Sequence, residues 1–135
     1  MAQLTHEQKM EMLFITLVEQ WQTQAWIALG KVPNPMNNKV ERNLEVAKMA
    51  IDMLDMLKEK TTGNLTDNET RMLTKVIADL KLNYVDEYER EKREKQQAER
   101  SQESASEQKN EAAESAKESV EEQKDKVENQ SDNKA

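Results

Sequence analysis

The segment Asn43–Lys60, NLEVAKMAIDMLDMLKEK, places the tightest limit on what this chain can fold into. At 100° per residue its apolar side chains do not form a single stripe. Ala47, Ala50, Ile51, Leu54 and Leu57 take one side, and Val46, Met49, Met53 and Met56 take the next. Together they span an arc of about 240°, where a surface helix needs only about 100°. Glu45, Lys48, Asp52, Asp55 and Glu59 share the strip that is left. Such a helix must be covered on two sides.

The rest of the chain supplies candidates for that cover. Thr5-His6-Glu7-Gln8 has capping-box spacing, so a helix is expected over about residues 6–29. Its predicted main face is Met10, Leu13, Phe14, Leu17, Trp21, Ala25 and Ala28, with Ile15 and Trp26 on the flank. Gly30 is its natural stop. Pro33-Asn34-Pro35 excludes helix, because each Pro lacks an N–H and pushes its predecessor toward extended backbone. A polar loop follows over 36–42. Asn43 is placed to cap a second helix over about 44–61, which has Lys58 and Lys60 in its last turn. Gly63 and Asn64 mark a short reversal. Thr66-Asp67-Asn68-Glu69 is a second capping box and opens a third helix over about 67–95. Leu73, Val76, Ile77, Leu80, Tyr84 and Tyr88 lie on one arc of about 120° in this helix, an ordinary one-sided pattern.

Large apolar residues nearly vanish after Tyr88. The expected organisation is a helical domain over 1–90 and a low-complexity acidic tail over 101–135. The tail is too polar to offset the entropy of ordering and is expected to be disordered. Ala113, Ala116, Val120 and Val127 near heptad spacing are a counter-signal for partial helix or coiled coil. The fold class is therefore all-α: a three-helix hairpin bundle with a disordered or partly helical acidic C-terminal tail.

Composition narrows the chemistry. Net charge is −7, and both parts of the chain are acidic, so neither offers the basic surface that nucleic acid needs. The absence of cysteine removes disulfides, thiolate metal sites and Cys nucleophiles. The longest apolar run, Met12–Val18, is far short of the roughly 20 residues of a membrane span. The first helix carries Glu7, Glu11 and Glu19, which argues against a membrane surface. Without a signal-peptide pattern, a cytoplasmic protein is the expectation. His6, the one histidine, sits in a helix start with no group to orient it. Asp52, Asp55 and Glu59 form a carboxylate strip, but Lys48 can pair with Asp52 and Lys58 with Asp55, so a solvated face is the expectation. No catalytic residue, cofactor site or metal site is expected.

Two motifs carry a family resemblance. Pro33-Asn34-Pro35 is one, and the elbow Lys60-Thr61 with Gly63-Asn64-Leu65-Thr66 is the other. Between and around them stand Asn43-Leu44-Glu45, Ala47-Lys48, Ile51-Asp52, Leu54, Leu57, Glu69 and Tyr84-Val85. Over about residues 12–88 the chain resembles a bacterial domain-of-unknown-function family, number eighteen forty-four. Its members usually show a Thr-Gly pair soon after Pro-Asn-Pro, where Met36-Asn37 stands here. The resemblance implies a small helical domain with no assigned activity.

Function is then read from the second helix. The expected role is a non-enzymatic helical interaction module, homodimeric through Val46, Met49, Met53, Met56 and Trp26. The alternative is an adaptor whose apolar groove receives an amphipathic helix of another protein. The sequence lacks a Ser–His–acid arrangement, a Cys and a metal-ligand cluster, so an enzyme is not the expected reading.

Overall fold

The computed structural model describes residues 2–131, with side chains described through Lys124. Three helices follow in order: α1 (His6–Ala28), α2 (Leu44–Lys60) and α3 (Asp67–Ser131). No strand occurs among the described residues. The nearest approach to one is an isolated antiparallel bridge between Leu29 and Arg42. The chain divides into two units, Met1–Glu91 and Lys92–Ala135.

Each helix of the first unit begins on the cap that its sequence offers. Thr5 and Gln8 form the full reciprocal box at α1. The Asn43 side chain accepts from Val46 N–H at 3.3 Å to start α2. At α3, Thr66 N–H donates to Glu69 Oε1 at 3.1 Å, and Glu69 N–H donates to Thr66 Oγ1 at 3.2 Å. These bonds satisfy N–H groups that a helix start leaves without partners.

α1 stops in a Schellman motif. Lys31 N–H donates to the Trp26 carbonyl at 3.1 Å and Gly30 N–H to that of Ile27 at 3.0 Å. Gly30 takes φ +74, the left-handed conformation that this stop requires. Asn34 then organises the loop. Its side-chain oxygen accepts from Met36 N–H at 2.9 Å, its carbonyl accepts from Asn38 N–H at 2.8 Å, and its own N–H donates to the Lys39 carbonyl at 2.9 Å. The two flanking prolines have no N–H to compete, so Pro-Asn-Pro sets a small closed ring. The Asn43 N–H closes the connection by donating to the Ala28 carbonyl at 2.8 Å.

That last bond brings the start of α2 to the end of α1. At the far end, Met10 and Phe14 share a cleft with Thr61 and Leu65, so the two helices are antiparallel. Asn68 of α3 donates to Glu11 at 3.2 Å, near the α1 start, so α3 runs back alongside. The core between them contains Val18, Ala25, Ala28 and Leu29, then Ala47, Ala50, Ile51 and Leu54, then Leu73, Val76, Ile77 and Leu80. Lys81 of α3 reaches Asp55 of α2 at 2.7 Å. Asp55 therefore pairs across helices and not with Lys58 as expected. Lys48 and Asp52 do approach, at 3.7 Å.

Three expectations need correction. The buried side of α1 is centred on Val18, Ala25 and Leu29, whereas Met10, Leu13 and Leu17 are exposed. Trp21, expected in the core, is only half-buried against it. On α3, Tyr88 is exposed and stacks on Tyr84, with ring centroids 6.4 Å apart.

In the second unit, α3 continues beyond the expected end near residue 95 and through the segment expected to be disordered. No Gly or Pro occurs after Gly63, and strong helix formers dominate. Every side chain from 92 to 124 is exposed, so this part is helix without a buried face. Residues 132–135 and the Val127 side chain of the expected tail lie outside the described residues.

Replacing Gly30 by Ala should lower unfolding free energy by about 1–2 kcal/mol, because a side chain there must adopt the left-handed conformation. The nearest heavy atom to the added Cβ would be 3.6 Å away on Arg42, so strain rather than a clash is the cause. Urea denaturation checks this, and Gly63→Ala, also at positive φ and with nothing near its added Cβ, should show a similar loss.

Candidate protein-interaction surface

The side of α2 turned from the core is where the excess apolar arc emerges. Met49 is 56% exposed and Met56 is 44% exposed, while Met53 and Val46 are half-buried. Their positions follow from helix geometry: with Ala47, Ala50, Ile51 and Leu54 turned inward, residues 49, 53 and 56 fall on the opposite side. α1 extends this surface with Leu13, 51% exposed, and Leu17, 41% exposed. A groove of about 470 Å³ runs between the two helices, lined by Leu17, Gln20, Trp21 and Gln24 on one side and by Val46, Met49 and Ala50 on the other. Its floor is apolar and its α1 rim carries two amides, a mixture suited to a helix or a second apolar surface.

The five residues predicted for an interface thus fall in different places. Val46 and Met49 share the groove, Met53 and Met56 continue along the same side of α2, and Trp26 does not join them. Trp26 is half-buried against the core, and its carbonyl accepts the Schellman bond from Lys31. Leu13 and Leu17, which the helical pattern of α1 places on its core face, are instead exposed.

A buried charge cluster was also missed. The Glu87 side chain is only 5% exposed. Lys31 Nζ lies 2.8 Å from its Oε1, and Arg42 Nε lies 2.8 Å from its Oε2. Arg90 approaches Oε1 at 3.7 Å. One carboxylate thus ties both ends of the α1–α2 connection to α3. The hydrogen bond from Lys31 holds the Glu87 carboxyl below its usual pKa, burial opposes this, and the charges of Lys31, Arg42 and Arg90 add to the lowering. The signal in the sequence was position: Glu87 stands three residues after Tyr84 and seven after Leu80, on the apolar face of α3.

The remaining candidates gather no chemistry. His6 is exposed in the first turn of α1. It lines an open cleft with Glu7, Glu11 and Glu69, beside the two capping boxes. Among the described residues no cluster of His, Cys, Asp and Glu is arranged to hold a metal ion. None of the described helices is long and apolar enough to cross a membrane.

The fold and this surface define a small all-α protein with a two-sided central helix. The chain belongs to the family described as Domain of unknown function (DUF1844), whose model matches residues 11–86. The family resemblance carried by Pro33-Asn34-Pro35 and the Lys60–Thr66 elbow is thereby confirmed. No curated protein matches the chain, and neither does any solved structure.

Glu87 generates a pH prediction. Its carboxyl is depressed in the folded state, so its stabilisation is complete above the unfolded pKa and is lost as pH falls through the lower folded value. Unfolding free energy should therefore fall as solutions are acidified below about pH 4. Glu87→Gln should cost about 1–3 kcal/mol at neutral pH by replacing the buried carboxylate that Lys31 and Arg42 contact with a weaker, neutral acceptor. The variant should also flatten the acid dependence, measured by urea denaturation across pH.

Proposed function

We propose that this protein is a non-enzymatic helical interaction module that self-associates through the outer side of α2 and the adjoining edge of α1. One observation carries the reading: Leu17 and Met49, each more than two-fifths exposed, line one groove between two packed helices. Exposed Leu13 stands four residues before Leu17 on α1, and exposed Met56 seven residues after Met49 on α2. Single exposed apolar residues are ordinary, but a contiguous set on a small domain marks an interaction surface. Methionine suits it, since an unbranched thioether side chain adapts to an opposing surface. A thin core without disulfides gives a further reason, because association supplies burial that a unit of this size lacks.

The non-enzymatic part rests on the inventory of groups. The chain has no cysteine, its one histidine is solvent-exposed at a helix start, and the most buried carboxylate is engaged by cations. The concavity between α1 and α2 favours a second occupant, the apolar face of a helix from another protein.

Sedimentation at micromolar concentration separates the two. Self-association predicts a dimer mass that Met49→Asp shifts to monomer while helical circular dichroism is retained, since Met49 is exposed in the subunit. A compact monomer at all concentrations would reject self-association. If that monomer also binds an apolar dye at the groove, and Met49→Asp abolishes the binding, the adaptor reading takes its place.

A further inference from the structure

Six residues on the side of α2 turned from the core are spaced symmetrically, with the exposed Lys48 and Glu59 beside them outside the pattern. Glu45, Met49, Asp52, Met53, Met56 and Lys60 follow one another at spacings of four, three, one, three and four residues. The series reads the same from either end about a midpoint between Asp52 and Met53. None of the six is buried. Two of the three pairs at matching distances from the midpoint are also chemically matched, Met49 with Met56 and acidic Glu45 with basic Lys60; Asp52 and Met53, beside the midpoint, are not.

We propose that a second copy of this chain docks antiparallel on α2 about a two-fold axis between Asp52 and Met53, so that Met49 meets the other copy's Met56 and Glu45 meets its Lys60. This rests on the self-association proposed above and specifies its register. A two-fold axis perpendicular to a helix pairs residues equidistant from it, so residues at equal distances have to complement one another. The two methionine pairs form the apolar centre, and the two ion pairs close its ends. Among the described residues, the ion pairs of Lys31, Arg42, Lys48, Lys81 and Arg90 with Glu87, Asp52 and Asp55 involve neither Glu45 nor Lys60. The axis leaves Met53 on the α1 side of the strip, since Val46 and Met49 border the groove there. The exposed Leu17 of each copy lies on that side and adds to the covered area. The two copies of Asp52 face each other on the other side, where Lys48 of each helix, 3.7 Å from its own Asp52, offsets their charges. A parallel pairing would place Glu45 against Glu45 and Lys60 against Lys60, and like charges would oppose it.

Cysteine cross-linking reads the register directly, because the chain has no cysteine of its own. Met49→Cys and Met56→Cys are prepared singly, their masses are checked by sedimentation, and each is oxidised alone and as a mixture. The antiparallel register predicts disulfide dimers in the mixture and none in either variant alone. In it, two copies of residue 49 stand about 10 Å apart along the axis, beyond disulfide reach. A second arm uses charge. Glu45→Lys and Lys60→Glu should each weaken the dimer about tenfold, and mixing the two should restore it, since every end pair is then opposite in sign. The mixture controls for any effect of either change on its own helix. If sedimentation shows a dimer but Met49→Cys cross-links to itself, or the charge mixture stays weak, the register is overturned and self-association stands. A monomer of the unaltered chain overturns both.

Discussion

The burial of one whole side of α2 is the constraint on which the rest of the subunit depends. Ala47, Ala50, Ile51 and Leu54 lose nearly all contact with water, and Ala25 and Ala28 of α1 are buried with them. Four alanines in a core of twelve residues set the geometry, because short side chains let helix backbones approach closely. The volume is then filled by Val18, Leu29, Leu54, Leu73 and Leu80, which are fully enclosed. Close approach has a consequence at the edges. Long side chains that flank an alanine seam cannot enter it, and Leu13, Leu17, Met49 and Met56 are left outside. The exposed apolar surface thus follows from how the core is packed and is not a separate addition to it.

The polar devices serve the same geometry from the ends. Two capping boxes fix where α1 and α3 start, and the Schellman stop at Gly30 fixes where α1 ends. The Asn34 ring shapes the long connection, and Glu87 anchors it through Lys31 and Arg42. An ion cluster of this kind is a weak source of net stability, because desolvating its charges offsets much of their attraction. Its effect is directional: with Lys31 and Arg42 held at one carboxylate, the connection has one docked position. The family match ends at residue 86, one short of this carboxylate.

Much of the fold was legible from local chemistry. The caps, the two glycine stops and the helix bounds of α1 and α2 follow from short patterns in which neighbouring residues decide the outcome. The side that α1 buries was not legible in this way. Phe14, Val18, Trp21, Ala25 and Leu29 recur at three- and four-residue steps, and so do Met10, Leu13, Leu17 and Trp21. Two overlapping stripes on one helix leave the choice to its neighbours, and the alanine seam chose the first. Glu87 was passed over for a related reason. It follows Tyr84 in an increasingly charged stretch, so its place on the apolar face of α3 was masked by its surroundings. The helix beyond residue 95 is a third case. Composition argued that this segment cannot bury a core, and it buries none. Yet an unbroken run of helix formers with no Gly or Pro can be helical without one.

These points bear on how a surface made of methionine could be selective. Flexible thioethers adapt to many partners, so apolar area alone gives adhesion without orientation. Orientation has to come from groups with fixed spacing and sign. On α2 these are Glu45 in the first turn and Lys60 in the last. Their separation is fixed because the helix between them is capped by Asn43 and closed at Thr61. Both charges also lie where the helix dipole favours them, acid at the start and base at the end. In the proposed dimer, the same placement that stabilises a single helix also sets opposite charges against each other at the two ends. The methionines of α2 supply the apolar contact of that proposed dimer, and the dipole-matched ends of the helix supply its antiparallel orientation.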